Sequence, residues 1–206
     1  MKTEKISEAV VRRLPLYLRY LYQLQTRNVQ TVSSQDLGAK LELNPAQIRK
    51  DLAYFGEFGK KGIGYDVDYL IEKIRQILKL DRHINVALVG AGNLGRALCN
   101  YNAYQNDLMK IVAVFDAYPG KIGEKINHLS ILPMSKLEET VKDLNIRIGI
   151  ITVPAVEAQL VADQFVAAGI EAILNFAPTV IKVPDHIRVH HADFTTELLS
   201  LAFYLD

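Results

Sequence analysis

The stretch ALVGAGNLGRAL, from Ala87 to Leu98, constrains the fold of this chain more than any other part of the sequence. It overlaps the end of an apolar run, INVALV (residues 84–89), whose unbroken hydrophobicity is typical of a buried parallel strand. Beyond the glycines, apolar residues recur at helical spacing, at Leu94, Ala97, Leu98 and Tyr101. A strand, a glycine turn and a helix in this order are typical of the first unit of a doubly wound sheet that binds a dinucleotide.

Each glycine of this turn has a separate predicted purpose. Gly90 makes the tight turn, Gly92 lets a pyrophosphate approach the backbone, and Gly95 lets the helix pack closely on the strand. The helix N-terminus then faces the anion. The alternative is a structural turn that binds nothing. The cofactor contacts predicted for this segment are Gly90, Ala91, Gly92, Asn93, Leu94 and Gly95.

The next apolar run, MKIVAVF (residues 109–115), leads into Asp116, which lies 21 residues beyond Gly95. An acid at this place accepts hydrogen bonds from ribose hydroxyls, so we expect NAD(H) to bind and its 2′-phosphorylated form to be repelled. Lys121 lies close enough in the chain to weaken that repulsion. Two further strand ends, ITVP and NFAP, are candidates for the nicotinamide side, through Thr152, Val153, Pro154, Asn175, Phe176 and Ala177.

The rest of the chain alternates helix and strand, as a doubly wound parallel sheet requires. Glu138 would complete a capping box with Ser135, and Gly169 would end the helix that follows. The predicted elements are a loop, a helix from Ser135, a strand over residues 146–153, a helix from Ala155 to Ala168 and a strand over residues 170–176.

The first eighty residues predict a helix-turn-helix. A core helix places apolar residues at Val10, Leu14, Tyr17, Leu18, Leu21 and Leu24, and Pro15 would kink it or begin a new helix. Two shorter helices follow, with cap signals at Ser33 or Ser34 and at Asn44 before Pro45. The second of them buries one face and presents base-reading and phosphate-binding side chains on the others, at Gln47, Arg49, Lys50 and Tyr54. The alternative is an ordinary helical hairpin with a charged exterior.

A glycine-punctuated hairpin over residues 56–67 favours the DNA-binding interpretation. It carries Lys60 and Lys61 at its expected tip, where they suit phosphates or a narrow minor groove. A closing helix is predicted over residues 67–80. A helix-turn-helix followed by such a wing is a winged helix.

Composition narrows the class of protein further. Residues 1–80 hold 14 Lys and Arg against 9 Asp and Glu, whereas residues 81–206 hold 10 against 14, so the front is basic and the back acidic. The single cysteine, Cys99, lies in an apolar helix, where we expect a packed structural thiol. The five histidines lack metal-ligand spacing, so we expect no metal. No signal peptide or long apolar run is present, which predicts a cytoplasmic protein without a membrane partner.

These motifs resemble the Rex redox-sensing transcriptional repressors of bacteria. The resemblance covers essentially the whole chain, through LPLYLR (14–19), QIRKDLAYFGEFGKKGIGYDV (47–67), VGAGNLGRAL, VFDAYPGKIG (114–123), ILNFAP and ADFTTELLSL (192–201). It implies an α/β chain with three parts: a winged-helix DNA-binding domain (1–80), a Rossmann NAD(H)-binding domain (81–193) and a C-terminal helix swapped between subunits (194–206).

The resemblance also implies how such a chain works. A homodimer would bind a palindromic operator in double-stranded DNA with NAD+ and release it when NADH replaces NAD+. By motif, Arg19, Tyr101 and Asp193 would report the ligand state across subunits, and Phe194 would lie near the partner's nicotinamide, with Tyr101 also close to the cofactor. Without the resemblance, Arg19 would read as a surface cation and Tyr101 as a packed aromatic.

The residues themselves favour a sensor over an enzyme. After the last predicted strands only a short helix remains, which leaves no substrate domain. That helix is apolar around nearly its whole circumference from Leu198 to Leu205, so we expect a partner subunit to bury it. Two alternatives stay open: a small NAD-dependent oxidoreductase with a helical N-terminal domain, and a binding module for another nucleotide such as coenzyme A.

Overall fold

The computed structural model describes residues 7–56, 59–60, 64–80, 83–105 and 109–205, with the backbone alone for residues 59–60 and 102–105. These residues form two compact units, Met1–Arg82 and His83–Asp206. Each unit has its own apolar core.

The first unit is built on a long helix, α1 (Glu8–Thr26), which Ser7 caps at its N-terminus. The six apolar positions predicted from the sequence are the buried ones: Val10, Leu14, Tyr17, Leu18, Leu21 and Leu24. Pro15 lies inside α1, and no new helix begins there. Pro15 is the eighth residue of α1, past the first turn, so its missing N–H costs the helix the hydrogen bond to Val11 O, and the apolar residues buried along α1 on both sides of Pro15 keep the helix continuous.

The predicted helix-turn-helix is present as α2 (Ser34–Leu41) and α3 (Pro45–Ala53). Ser33 caps α2 and forms a capping box with Asp36, while the Asn44 side chain accepts from the amide of Ala46. Between the helices, Glu42 adopts a left-handed conformation with φ of 55°. The helix α3 is anchored in the core by Ile48 and Leu52.

A small antiparallel sheet completes the first unit. Its strands are β1 (Thr31–Val32), β2 (Gly59–Lys60) and β3 (Gly64–Asp66), in the order β1-β3-β2. The pairing of β2 with β3 gives the hairpin expected of a wing. The helix α4 (Val67–Ile77) follows, capped by Asp66, and ends three residues before the predicted boundary at residue 80.

The second unit is a seven-stranded sheet whose order is that of a doubly wound fold. Its strands are β4 (Ile84–Val89), β5 (Met109–Asp116), β6 (Lys125–Ile126), β7 (Leu129–Pro133), β8 (Ile148–Ile151), β9 (Ala172–Asn175) and β10 (Arg188–His191). They lie in the order β10-β9-β8-β4-β5-β7-β6, and all neighbours are parallel except β6 and β7. The chain order reverses between β4 and β8, the place where such sheets open to a ligand.

Helices cover both faces of this sheet. Because side chains alternate along a strand, Leu88 faces the side of α5 (Asn93–Gln105), where Cys99 is buried. Its neighbour Val89 faces α6 (Leu137–Asp143) and α7 (Ala155–Ala168) on the other side. This arrangement confirms the predicted doubly wound sheet.

Some predicted details are wrong. Ser135 forms no capping box with Glu138, because it lies in a 3-10 turn (Met134–Lys136) and α6 begins at Leu137. The Glu138 carboxylate instead accepts from Lys142 at 2.6 Å. The strands β8 and β9 are shorter than predicted, because Ile146 and Ile170 are buried by packing ahead of the strands rather than paired in them.

Two features were missing from the prediction. The stretch after Asp116, predicted as a loop, contains the β6–β7 hairpin, and β10 adds a parallel strand at the opposite edge. The chain then ends with α8 (Phe194–Leu201) and a 3-10 turn (Ala202–Tyr204). Among the described residues, no helix has the length and apolar character to cross a membrane.

Candidate functional site

The glycine turn after β4 is held at two points. Gly90 has a positive φ of 107°, its amide donates to Phe115 O at 2.8 Å, and a Cβ there would lie 2.6 Å from Thr152 O. The Thr152 hydroxyl donates to Gly90 O at 2.8 Å. Thr152, predicted as a cofactor contact, therefore holds the glycine turn through this hydrogen bond.

The other two glycines differ in what surrounds them. A Cβ on Gly95 would lie 2.0 Å from Gly90 O and 3.1 Å from Leu88 Cδ2, so α5 can approach the turn only with glycine at this position. Around Gly92, by contrast, no described heavy atom lies within 4 Å of such a Cβ. Gly92 therefore leaves its backbone open to a ligand, whereas Gly90 and Gly95 are required by packing.

Asp116 connects the end of β5 to this turn. Its Oδ2 accepts from Ala91 N at 2.8 Å and from Lys121 Nζ at 2.9 Å, and its Oδ1 accepts from Tyr118 N at 2.8 Å. Burial on its own raises the pKa of this carboxyl, but the three hydrogen bonds outweigh burial and hold the pKa below its usual value. A carboxylate offers about four acceptor positions. Capacity therefore remains at Oδ1 for a hydroxyl donor.

Seven of the predicted cofactor residues line one cleft of about 880 Å³, at the carboxyl ends of β4, β5 and β8. Clefts of roughly 300–1,000 Å³ are usual for small molecules and cofactors. The seven are Gly90, Gly92, Asp116, Lys121, Thr152, Val153 and Pro154. Nine other residues line the same cleft and were not predicted. They are Val89, Ala117, Tyr118, Pro119 and Met134, together with Glu157, Leu160, Val161 and Gln164 on α7. Of these, Ala117, Tyr118 and Pro119 directly follow Asp116 in the sequence, and the α7 residues lie on the helix that follows ITVP.

The NFAP segment does not line this cleft. The buried Asn175 side chain accepts from Ala177 N at 3.0 Å and donates to Thr179 O at 2.8 Å. Its amide nitrogen also lies 3.1 Å from His191 Nδ1. Asn175 therefore fixes the loop after β9, while Phe176 is half-buried and Ala177 buried within that loop.

Several predicted residues also lie away from the cleft walls. Ala91 is buried, and Asn93 and Leu94 begin α5 with exposed side chains. Tyr101 is exposed farther along α5, and Phe194 is exposed at the start of α8. Asp193 caps α8, accepting from Thr195 N at 2.9 Å and from Thr196 Oγ1 at 2.8 Å. Arg19 is exposed on α1, in the first unit.

The candidate DNA-binding surface is the exposed side of α3. Lys50 is exposed on it, Tyr54 is exposed at its C-cap, and the exposed Arg49 donates to Ser34 Oγ at 2.9 Å. Gln47 is only partly exposed and donates to Asp51 Oδ1 at 2.6 Å. The backbone of Lys60 lies in β2, whereas Lys61 lies outside the described residues.

A buried carboxylate on α3 was not predicted. Asp51 is completely buried and accepts from Arg13 Nε at 2.6 Å, from Arg13 Nη2 at 2.8 Å and from Tyr17 Oη at 2.6 Å. The two partners on α1 lie 38 and 34 residues away in the chain, so no local pattern could reveal them.

A winged helix and a Rossmann sheet with an open glycine turn together define a class: DNA-binding regulators that carry a nucleotide-binding domain. Two family models match the chain, "CoA binding domain" over residues 81–179 and "Putative DNA-binding protein N-terminus" over residues 5–53. A relative from Brevibacillus brevis, named "Redox-sensing transcriptional repressor Rex", is 63% identical over 99% of both chains. A relative of the same name from Carboxydothermus hydrogenoformans is 50% identical over 98% of both.

Solved structures agree with these relatives. The crystal structure of RSP in complex with beta-NAD+ and operator DNA has a TM-score of 0.90 and 38% identity, covering 97% of this chain and 92% of that one. The crystal structure of RSP in complex with beta-NADH has a TM-score of 0.85 and 36% identity, and the match covers 97% of this chain and 93% of that one. The chain belongs to the Rex family of redox-sensing transcriptional repressors. Because the relatives are named as repressors, the prediction of a regulator rather than an enzyme is confirmed.

Proposed function

We propose that this chain is a redox-sensing transcriptional repressor that binds a palindromic operator as a homodimer and releases it when NADH replaces NAD+. The observation that carries the proposal is the open backbone at Gly92, facing a cleft that Asp116 also lines. A cytoplasmic location follows from this function, because operator DNA and the NAD(H) pool are both found there.

Three groups in the cleft would hold the dinucleotide. The backbone at Gly92 and the start of α5 would receive the pyrophosphate, since the amides of a first helical turn lack intrahelical partners. Asp116 Oδ1 would accept from an adenosine ribose hydroxyl. When bound, the dinucleotide supplies a nicotinamide ring that is charged when oxidised and neutral when reduced.

Discrimination between NAD+ and NADH must come from that ring, because the two forms share every other group. The cleft walls include the apolar side chains of Val153, Pro154, Leu160 and Val161. Burying an unpaired charge against apolar walls is costly, so they favour the neutral, reduced ring. A difference of ~3 kcal/mol would give roughly a hundredfold preference for NADH, at about 1.4 kcal/mol for each factor of ten.

The exposed side of α3 supports the DNA-binding part of the proposal. Arg49 and Lys50 supply cations and Tyr54 a hydroxyl, which suits a helix lying in the major groove. The Lys60 and Lys61 pair would add phosphate or minor-groove contacts from the wing. The basic balance of residues 1–80 favours the same partner.

The C-terminal helix supports the dimer. Within this chain Leu199 is 68% exposed, Phe203 85% and Tyr204 77%, and no described residue of α8 is buried. Apolar surface of this kind marks an interface. A two-fold partner would bury it, and the same symmetry would place two winged helices on half-sites about 34–36 Å apart or a multiple of that. Swapping of this helix, and a relay from Arg19, Tyr101 and Asp193, belong to the same proposal.

A titration tests the whole proposal. Labelled palindromic DNA, selected from a random pool with the NAD+-loaded protein, is bound to saturation and then titrated with NADH at constant NAD+. Release by NADH, but not by equal amounts of NAD+, is the expected result. Binding that ignores both forms would refute the redox-sensing function.

Coenzyme A is a second candidate ligand, because the family model over residues 81–179 is named for it. Competition calorimetry separates the two candidates. An excess of coenzyme A added beforehand should leave NADH binding unchanged if the cleft is selective for the dinucleotide, whereas weakened NADH binding would favour coenzyme A as a ligand.

A further inference from the structure

The buried carboxylate of Asp51 accepts a hydrogen bond from the side chain of Gln47 on α3. Asp51 sits one helical turn after Gln47, and its Oδ1 receives the Gln47 amide nitrogen at 2.6 Å. The same carboxylate receives Arg13 in a two-pronged contact and the hydroxyl of Tyr17, both from α1. All four donor contacts end on a side chain with no solvent exposure.

This environment keeps Asp51 ionised. Burial on its own raises its pKa, but hydrogen bonds from Arg13, Tyr17 and Gln47 outweigh it, so the pKa lies below its usual value. An ionised carboxylate only accepts hydrogen bonds. The end of the Gln47 amide that faces Asp51 must therefore be the nitrogen, and the carbonyl oxygen Oε1 must face the other way.

This orientation leaves a defined set of groups for a partner. One hydrogen on Gln47 Nε2 is committed to Asp51, whereas the second hydrogen and Oε1 remain. One donor beside one acceptor is the pair with which a glutamine reads the N7 and N6 edge of adenine. Gln47 also lies in the first turn of α3 and is partly exposed, at the end of a recognition helix that approaches bases.

We propose that Asp51 is a positioning residue that orients the Gln47 amide to read an adenine at one position of each operator half-site. The inference rests on the proposed DNA-binding function. Besides contributing to the apolar core, α1 would then support base reading, because its Arg13 and Tyr17 hold the carboxylate that orients Gln47. Asp51 itself, being fully buried, touches no base.

The test is a selection of palindromic duplexes from a random pool by the full-length protein loaded with NAD+. The wild type should select adenine at one position of each half-site. Gln47→Ala should lose that preference by about 5- to 100-fold, the range of a bidentate base contact, while preferences at other positions persist. Gln76→Ala is the matched control, since Gln76 also donates to a carboxylate, that of Glu72 at 2.9 Å, but lies on α4 outside the helix-turn-helix.

Two further variants separate positioning from stability. Asp51→Asn can donate as well as accept, so the Gln47 amide is no longer fixed and the adenine preference should fall although Gln47 is present. Tyr17→Phe removes one donor to Asp51 but leaves the contact to Gln47, so stability should fall while the preference stays. If Asp51→Asn folds and keeps the full adenine preference, Asp51 does not position Gln47; should this variant fail to fold, Gln47→Ala still tests whether Gln47 reads the adenine.

The outcomes are distinguishable. If the wild type selects no duplex, the proposed function itself fails. The inference alone is overturned if the wild type selects an operator and Gln47→Ala selects the same sequence, or if Gln47→Ala loses a preference for a base other than adenine.

Discussion

Substituting alanine at Gly95 and at Gly92 should have opposite effects on stability and on ligand binding. The Cβ of Gly95→Ala would lie 2.0 Å from Gly90 O, whereas real Cβ contacts stay beyond 3.0 Å, so the turn or α5 must move by at least 1 Å. Overpacking of this kind costs about 1–3 kcal/mol, and a backbone neighbour places the cost at the upper end. Alanine regains about 1 kcal/mol of helix propensity. The expected net loss is about 2 kcal/mol.

Gly92→Ala should leave stability nearly unchanged. Its Cβ meets no described atom within 4 Å, and the remaining effects are small and opposed. Alanine is a poorer N-cap than glycine, which costs roughly 0.5–1 kcal/mol, and it lowers the conformational entropy of the unfolded chain, which offsets about 0.4–1 kcal/mol of that loss. The methyl group would, however, occupy the place of the pyrophosphate, and losing one charge-assisted hydrogen bond of about 1.5–3 kcal/mol weakens NADH binding roughly tenfold or more.

Denaturant unfolding and calorimetric titration with NADH measure the two effects separately. Gly95→Ala should lower the free energy of unfolding of the second unit by about 2 kcal/mol, roughly 8 °C in melting midpoint for a unit of this size. Gly92→Ala should melt like the wild type and bind NADH weakly. If Gly92→Ala bound NADH as tightly as the wild type, the pyrophosphate would not lie at this turn. If Gly95→Ala were as stable as the wild type, the packing argument would be wrong.

Three further predictions concern the cleft, the terminus and the thiol. Asp116→Asn removes the charge that repels a 2′-phosphate, so the preference for NADH over NADPH in calorimetry should fall; an unchanged ratio would contradict the role given to Asp116. Deletion from Thr195 onward removes the exposed apolar helix, so sedimentation should find monomers or aggregates with little operator affinity; a stable truncated dimer that NADH still releases from operator would argue against that helix as the interface. Burial raises the pKa of the Cys99 thiol to about 11, so little reactive thiolate is present at pH 7. Cys99 should therefore react with a maleimide at least a hundredfold more slowly than a free cysteine. Labelling as fast as that of a free cysteine would contradict this prediction.

Local patterns predicted much of the first unit. The buried face of α1 followed from 3.6-residue spacing, and residue type gave the cap at Asn44 and narrowed the other cap to Ser33 or Ser34, of which Ser33 is the cap, because these features depend on neighbours within one turn. Local patterns did not predict the burial of Asp51 or its hydrogen bonds. Its partners on α1 are distant in the chain, and a charged residue on a short helix normally faces water.

The second unit divides in the same way. Strand, glycine spacing and the acid at residue 116 predicted the turn and the sheet, because the motif requires them together. The capping box at Ser135 was wrong because the same residue types also suit the 3-10 turn that forms there. The contact between Asn175 and His191 was not predicted, because only the pairing of β9 with β10 brings the two residues close. The contacts assigned to individual cofactor and DNA-binding residues stay predictions.

The position of Asp116 beside the glycine turn has a consequence for what a cell would measure with this protein. In the proposed function the turn and the acid would contact the ribose and phosphates, which NAD+ and NADH have in common, so both forms would compete for one site. When the total pool is large enough to keep that site filled, doubling both forms together changes nothing. Operator occupancy would then follow the ratio of NADH to NAD+. Growth that expands the total pool without changing this ratio would leave transcription unaffected.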